Sequence, residues 1–387
     1  MKYYLKTKEE CDAIVERNEA FISKTVEVEG TNVAIYDYRL AALSDFVNEE
    51  AFELRGLCFV EQPDGSWKRN LLMNKFFNIN QSKFDDNVSW MYEDVKDKKI
   101  TRVQNKEDGS ICSFVKFPNG SIRAKSKTSF ISDQAQAAQE FFDRNSIMKE
   151  EVDHLLSKGK TPIFELVGPE NQIVLEYQNT ELILLQIRNE DGTYMSEKDL
   201  KCYSMNMGIK QAEVFDESYH NLDYLLELKE TNQENIEGWV VTFEDGQMAK
   251  IKTVHYLSLH GLIGPDAFRE NLLVKTILDG NIDDVISALV PGEKKDKIVL
   301  MNEKVSHKFN DLVVEFIRLR GEYFNKYQEN RKEFALKYKK HPLFSSVMKT
   351  LNTSMRDVEK TAEGAVTEFI LRQCKSLGEA KDFLSKI

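Results

Sequence analysis

An α+β fold in two parts is what this sequence predicts: antiparallel sheets with flanking helices over residues 1–260, then an all-helical stretch over residues 261–387. Three observations carry that expectation. Turn signals typical of hairpins, Pro63-Asp64-Gly65-Ser66, Pro118-Asn119-Gly120 and Glu244-Asp245-Gly246, separate short apolar runs throughout the first part. Beyond Tyr256 the apolar residues change to helical spacing. At 387 residues, 41% of them hydrophobic, the chain is long enough to bury two cores.

Taken in order, residues 9–20 read as a helix and 21–40 as two extended segments around Gly30-Thr31-Asn32. Residues 53–60, Glu-Leu-Arg-Gly-Leu-Cys-Phe-Val, are strand-like, and Lys75-Phe76-Phe77-Asn78 sets a cation beside two aromatics that fit core packing. Residues 111–117 and 121–127 form the next hairpin. Its second strand puts Arg123, Lys125 and Lys127 on one face, because strand side chains alternate with period two. That face suits a phosphate or plain solvent, and the pattern does not choose.

Residues 132–158 read as one helix opened by Ser132 or Asp133 and ended by Gly159. Strands are expected again at 162–167, 172–177 and 181–187. In the first of these, Glu165 stands inside an apolar run, and a buried carboxylate is costly unless a cation or a donor meets it. Glu237 repeats the oddity at the head of Gly238-Trp239-Val240-Val241. After the next turn, Lys250 and Lys252 share a face with Ile251 opposite, an arrangement that repels itself unless an anion lies between.

The helices expected in the second part are 265–278, 282–290, 293–340, 343–351, 361–374 and 379–386, with the domain boundary near Gly261 or Gly264. Lys337-Tyr338-Lys339-Lys340 fits a solvated helix end better than an RNA contact. Asp283-Asp284 fits favourable charge at a helix start; the two are also carried as candidate metal ligands beside Glu237.

A formal net charge of −11 argues against a protein that coats nucleic acid, since non-specific affinity comes from neutralising phosphates. A polyanion would need a local basic cleft. The start of the chain lacks the apolar run of a signal peptide, and no stretch approaches the roughly 18 apolar residues of a membrane span, so a cytoplasmic protein is expected. Five scattered cysteines without zinc spacing read as reduced and structural.

The stretch that suggests a reaction is Asn105-Lys106-Glu107-Asp108-Gly109-Ser110. A lysine attacks only as the free amine, and Asp108-Gly109 turns the chain so that Lys106 sits at a strand end facing a pocket. Lys-x-Asp-Gly alone arises by chance in roughly one chain of this length in ten. Its company changes that: Lys106-Glu107-Asp108-Gly109, Phe164-Glu165-Leu166, Ile236-Glu237-Gly238-Trp239 and Lys250-Ile251-Lys252 follow the order of the nucleotidyltransferase motifs of covalent ligases and capping enzymes.

The sequence resembles the bacteriophage RNA ligase 1 family, the T-even type of tRNA-repair ligase. Glu53-Leu54-Arg55-Gly56, Asn74-Lys75-Phe76-Phe77-Asn78, Lys125-Ser126-Lys127, Glu234-Asn235-Ile236-Glu237-Gly238 and His255-Tyr256 add to the likeness, which runs from about residue 20 to Asp284 and more faintly beyond. The resemblance implies an N-terminal adenylyltransferase domain over residues 1–260 and a helical domain over 261–387 with an RNA-specificity role. It implies that Lys106 attacks the α-phosphorus of ATP, that Arg55, Lys75 and Lys127 contact phosphate, and that Lys250 and Lys252 bridge the α-phosphate. Glu165 would hold the ribose hydroxyls and Glu237 would help to position Mg²⁺. Lys125 and Tyr256 are further pocket candidates, and the charge pattern leaves open which of Lys125 and Lys127 reaches the nucleotide.

The implied partner is RNA with 5′-phosphate and 3′-hydroxyl ends, such as a cleaved tRNA anticodon loop. The protein implied is a monomer working without a membrane in the cytoplasm of a phage-infected cell. A DNA ligase or capping enzyme would continue into a β-rich barrel where this chain turns helical. A non-catalytic RNA-end binder would have no need of the full set of Lys106, Glu165, Glu237, Lys250 and Lys252.

Overall fold

The computed structural model describes residues 4–231, 233, 235–259, 268–289, 292–353 and 358–387. The chain divides into two compact units, one of residues 1–38 and 43–261, the other of 39–42 and 262–387. Gly261 and Gly264, where the sequence puts the boundary, lie outside the described residues, as does the expected helix start at Pro265.

In the first unit the strands run β1 Phe21–Val28, β2 Thr31–Tyr38, β3 Leu57–Glu61, β4 Trp67–Asn70, β5 Phe77–Asn78 and β6 Ile100–Asn105. Then come β7 Ser110–Lys116, β8 Ile122–Ser126, β9 Thr161–Val167, β10 Glu181–Arg188, β11 Gly238–Phe243 and β12 Met248–Lys252. Its helices are α1 Lys8–Arg17, α2 Leu43–Asn48, α3 Tyr92–Val95, α4 Asp133–Arg144, α5 Ser146–Ser157, α6 Glu197–Met207, α7 Leu222–Leu228 and α8 Val254–Leu259. Three four-stranded sheets result, in the orders β1-β2-β3-β4, β10-β9-β7-β8 and β5-β12-β11-β6. All described pairings inside them are antiparallel except the two-residue β5–β12 contact, which is parallel.

The sheet built on β9 carries an extensive core. Phe114, Phe164, Leu166 and Leu184 pack against Phe142 of α4 and Val152 and Leu155 of α5, with Phe114 and Phe142 stacked at 4.5 Å. Period two then sends Ile163, Glu165 and Val167 to the opposite face of β9, where Ile163 meets Leu72, Met73 and Met248 of β12. Glu165 therefore points between two sheets rather than into the helix-covered core.

Three sequence expectations differ here. The single helix over 132–158 is two, because Asn145 leaves helical geometry (φ −113°, ψ 94°) and its side chain caps α5 by accepting from Met148 N. Residues 172–177 are not a strand: Val174 N and Leu175 N donate to the Asp108 carboxylate at 2.9 and 2.7 Å instead of to a sheet partner. The expected helix over 293–340 breaks, with Gln328 and Glu329 in left-handed backbone (φ 43° and 63°).

The second unit is helical: α9 Glu270–Leu278, α10 Ile282–Ala288, α11 Glu293–Asn325, α12 Arg331–Tyr338, α13 Phe344–Lys349, α14 Val358–Gln373 and α15 Leu377–Leu384. Its core includes Val305, Phe309, Val313, Phe316 and Leu319 of α11 and Ala362, Val366 and Ile370 of α14.

Candidate active site

The site forms where the chain leaves one sheet for another. Asn105 ends β6 opposite Trp239 of β11, and Lys106 N then donates to Gly238 O at 2.9 Å, so the backbone of Lys106 is tied to β11. Four residues later β7 begins in the neighbouring sheet. Two glycines make this passage possible. A Cβ on Gly109 would lie 2.3 Å from Leu166 O, and one on Gly238 would lie 2.0 Å from Ile251 O, both inside any real contact. Gly238 also has φ +155°, a conformation that favours glycine.

Glu237 is held just before β11 by this close approach. Its carboxylate accepts from two lysines: Lys106 Nζ at 2.8 Å on Oε2, and Lys252 Nζ at 3.1 Å from Oε1. Lys252 also lies 5.3 Å from the Tyr256 ring centroid. Lys250 shares the face of β12 with Lys252, while Ala249 and Ile251 are buried opposite. The sequence thus finds two isolated acids and a lysine pair, and the sheets bring Glu237, Lys252 and Lys106 into direct contact. The partner within hydrogen-bond reach of Lys106 is a carboxylate, not one of the cations.

Glu165 sits buried close by. Burial pushes its carboxyl up to about 8; Lys106 and Arg55 pull the other way, and Glu237 and Glu107 add to the rise. The carboxyl is therefore mostly protonated at neutral pH.

A second group surrounds Tyr38 at the end of β2. Lys75 Nζ donates to the Tyr38 hydroxyl at 3.2 Å, and Lys75 and Lys127 each lie 5.0 Å from the ring centroid. Burial raises the Tyr38 hydroxyl, but Lys75, Lys127 and Arg55 outweigh it and bring it down to about 8. Lys127 pairs with Asp37 at 2.8 Å. Three of the sequence-derived phosphate candidates thus converge on one tyrosine. Neither Asp37 nor Tyr38 was singled out, because nothing local marks a strand tyrosine as lying among cations.

Lys125 has a different place. It is fully buried, and its ammonium donates to Gly56 O at 2.9 Å, Ser126 O at 3.1 Å and Lys127 O at 3.0 Å. All three donors are used on backbone, so none remains for a phosphate. The expected cationic face of β8 dissolves in the same way, since Arg123 pairs with Glu29 at 2.6 Å and Lys127 lies past the strand end. What Lys125 does is tie the Arg55-Gly56 turn to the Ser126-Lys127 turn, which sets Arg55 and Lys127 side by side.

Tyr256 is also a brace. Its buried hydroxyl donates to Asp108 Oδ1 at 2.8 Å, while Asp108 Oδ2 takes the two amides of residues 174 and 175. Asp108 thereby fixes the turn that presents Lys106. Glu107 is held by Asn105 at 2.7 Å and Tyr177 at 3.2 Å, and burial pushes its carboxyl up.

Behind Arg55 and Lys75 runs a buried network that joins their motif neighbours Glu53 and Asn74 to Arg188 and Tyr194, which no sequence pattern signalled. Glu53 and Arg188 form a paired contact (2.8 and 3.2 Å), Arg188 also donates to Leu72 O and to the Tyr194 hydroxyl, and Tyr194 donates to Asn74 Oδ1 at 2.5 Å. Asn74 directly precedes Lys75, and Glu53 stands two residues before Arg55, so one network anchors both cations.

Asp283 and Asp284 open α10 in the helical unit. Among the described residues no group of three or more His, Cys, Asp or Glu side chains is arranged to hold a metal. The pair lies in the first turn, where acidic charge stabilises a helix.

Residues 53–256, more than half of the chain, match the RNA ligase family model, which makes this protein an enzyme of the RNA ligase class. Within that class it belongs to the phage RNA ligase 1 family. A protein of Thermovibrio ammonificans whose provisional name is RNA ligase is 27% identical over 267 residues, 67% of each chain. Among solved structures, an archaeal ATP-dependent RNA ligase aligns with a TM-score of 0.47 at 10% identity, covering 78% of this chain and 75% of its own. A mutant of Naegleria gruberi RNA ligase with ATP and Mn aligns with a TM-score of 0.36 at 13% identity, covering 62% of this chain and 97% of its own.

Proposed function

We propose that the protein is an ATP-dependent ligase that seals an RNA 5′-phosphate to an RNA 3′-hydroxyl through a lysyl-AMP and an RNA-adenylate. The single observation that carries the reading is the contact of Lys106, Glu237 and Lys252 at the crossing between two sheets, with the buried Glu165 beside it.

Attack by Lys106 Nζ on the α-phosphorus forms a P–N bond as the P–O bond to pyrophosphate breaks. Glu237 Oε2, 2.8 Å away, is the acceptor in reach of the proton that Lys106 must lose. Lys250 and Lys252 neutralise charge on the α-phosphate oxygens, which is most of what phosphoryl transfer asks of a protein. A largely protonated Glu165 can donate one hydrogen bond and accept another, suiting a pair of ribose hydroxyls. Arg55, Lys75 and Lys127 around Tyr38 suit the leaving pyrophosphate. Lys125 and Tyr256 position these groups.

The hard carboxylate oxygens of Glu237 fit a Mg²⁺ ion, which needs only one or two protein carboxylates besides phosphate and water. Such an ion, when bound, would supply further neutralisation of the phosphoryl oxygens. AMP then passes to the RNA 5′-phosphate, and an RNA 3′-hydroxyl attacks that phosphorus to seal the strand and release AMP. Repair of a cleaved tRNA anticodon loop by a monomer in the cytoplasm of a phage-infected cell, with the helical domain choosing the RNA, is the physiological part of the proposal. It is supported by family membership alone.

The test is covalent labelling. The protein with Mg²⁺ and α-labelled ATP should carry label that survives denaturation and is absent from Lys106→Ala; no label from ATP would overturn the proposal. In a second arm, 5′-phosphorylated single-stranded RNA should be circularised or joined. Exclusive sealing of nicked duplex DNA would count against RNA as substrate.

A further inference from the structure

We propose that α12 and the two lysines after it form a docking surface for the phosphate backbone of the RNA substrate, separate from the residues that handle the nucleotide. The inference rests on the reading of the protein as an RNA ligase.

Charge is divided unequally along the chain. Residues 262–387 hold 22 Lys and Arg against 19 Asp and Glu, a net +3, which leaves −14 for residues 1–261. Within the positive part the excess is concentrated: Arg331, Lys332, Lys337, Lys339 and Lys340 fall within ten residues against the single acid Glu333. All five cations are exposed.

Elsewhere in this unit the exposed helix cations Lys275, Lys297, Arg318 and Lys381 sit beside a carboxylate, while Lys304 and Lys360 stand singly without one among the described residues. Among the described residues, the four lysines of the α12 cluster have no carboxylate partner. Solvated lysines placed so close repel one another, and an anion would relieve that repulsion.

α12 is anchored through Phe334. Phe334 is fully buried, with the Tyr338, Tyr323 and Phe344 rings at 5.0, 5.3 and 6.0 Å, and Asn330 caps the helix by accepting from Glu333 N at 3.2 Å. The cations thus project from a fixed support. A membrane surface fits less well, because an interfacial helix needs an apolar stripe and Leu336 is the one large apolar side chain exposed on α12. Lysines without bidentate partners suit backbone phosphates, which fix position and carry no sequence information.

The test uses the full chain with all four lysines changed to Gln (K332Q, K337Q, K339Q, K340Q), and a control with all four changed to Arg. Binding to a 5′-phosphorylated single-stranded RNA is measured across a salt series, beside self-adenylylation. Four lost phosphate contacts should lower the slope of log affinity against log salt by about 3. The Gln protein should show at least a tenfold rise in KM for RNA, with kcat and self-adenylylation unchanged, and the Arg protein should behave as wild type. Unchanged RNA affinity and salt slope in the Gln protein would overturn the proposal. So would lost binding to anionic vesicles with RNA binding intact. If the Gln change weakens RNA binding while wild type takes no label from ATP, the docking surface stands and the ligase reading fails.

Discussion

Replacing Lys125 with Met separates two readings of a buried lysine. Its ammonium donates to three backbone carbonyls, those of Gly56, Ser126 and Lys127, and burial lowers its pKa. Met keeps the apolar stem and leaves the three carbonyls facing a thioether. At about 1 kcal/mol for each, the low end of the cost of an unpaired buried acceptor, the unit loses about 3 kcal/mol. For a unit of this size that is a fall in Tm of roughly 6–12 °C.

Below that temperature the pocket cations persist, so self-adenylylation per folded molecule should stay within about tenfold of wild type; a loss larger than that corresponds to more than about 1.4 kcal/mol of transition-state stabilisation. Lys127→Met, in contrast, removes a cation of the Tyr38 group and should abolish most of the label. Thermal unfolding by circular dichroism and quantification of label on the denatured protein give the two readouts. A Lys125→Met protein as stable as wild type but unable to self-adenylylate would refute the reasoning, for it would show that the ammonium serves the nucleotide.

Two other outcomes follow from buried charge. Glu165 has a folded pKa of about 8 against an ordinary 4.5, so wild type loses stability as pH rises through that window, whereas Glu165→Gln does not. The stability advantage of the Gln protein should therefore grow between pH 5 and pH 8, by up to about 1.4 kcal/mol for each pH unit; urea unfolding at several pH values checks this, and a flat difference contradicts it. Arg188→Met leaves the Glu53 carboxylate buried without its cation and should cost about 3–5 kcal/mol, a good part of it recovered by adding Glu53→Gln. Denaturant midpoints of the two single variants and the double variant decide the matter; additive losses would mean that the pair is not coupled.

Much of the site was legible before any coordinates. Glu165 and Glu237 each interrupt an apolar strand, Lys250 and Lys252 share a face, and Lys106 precedes a tight turn; none of these has an easy structural reason. Periodicity says which way a side chain points relative to its own strand. It does not say what approaches from another element. For that reason Lys125 looked like a pocket cation until three carbonyls met it, and residues 172–177 looked like a strand until Asp108 took their amides. Tyr38, Asp37, Arg188 and Tyr194 had no local signal at all, and Glu53 and Asn74 stood out only as motif neighbours of Arg55 and Lys75, since their partners lie far away in sequence.

By itself, then, the sequence determined the two-part α+β layout and the set of reactive residue types, because these rest on local pattern and turn chemistry. Tertiary structure alone decided which cations gather round Tyr38, which lysine is spent on backbone, and how a carboxylate comes to lie between Lys106 and Lys252. The physical reason is the close approach of strands that only Gly109 and Gly238 permit. A contact of that kind is set by backbone geometry between distant segments, not by the residues that flank the reactive lysine.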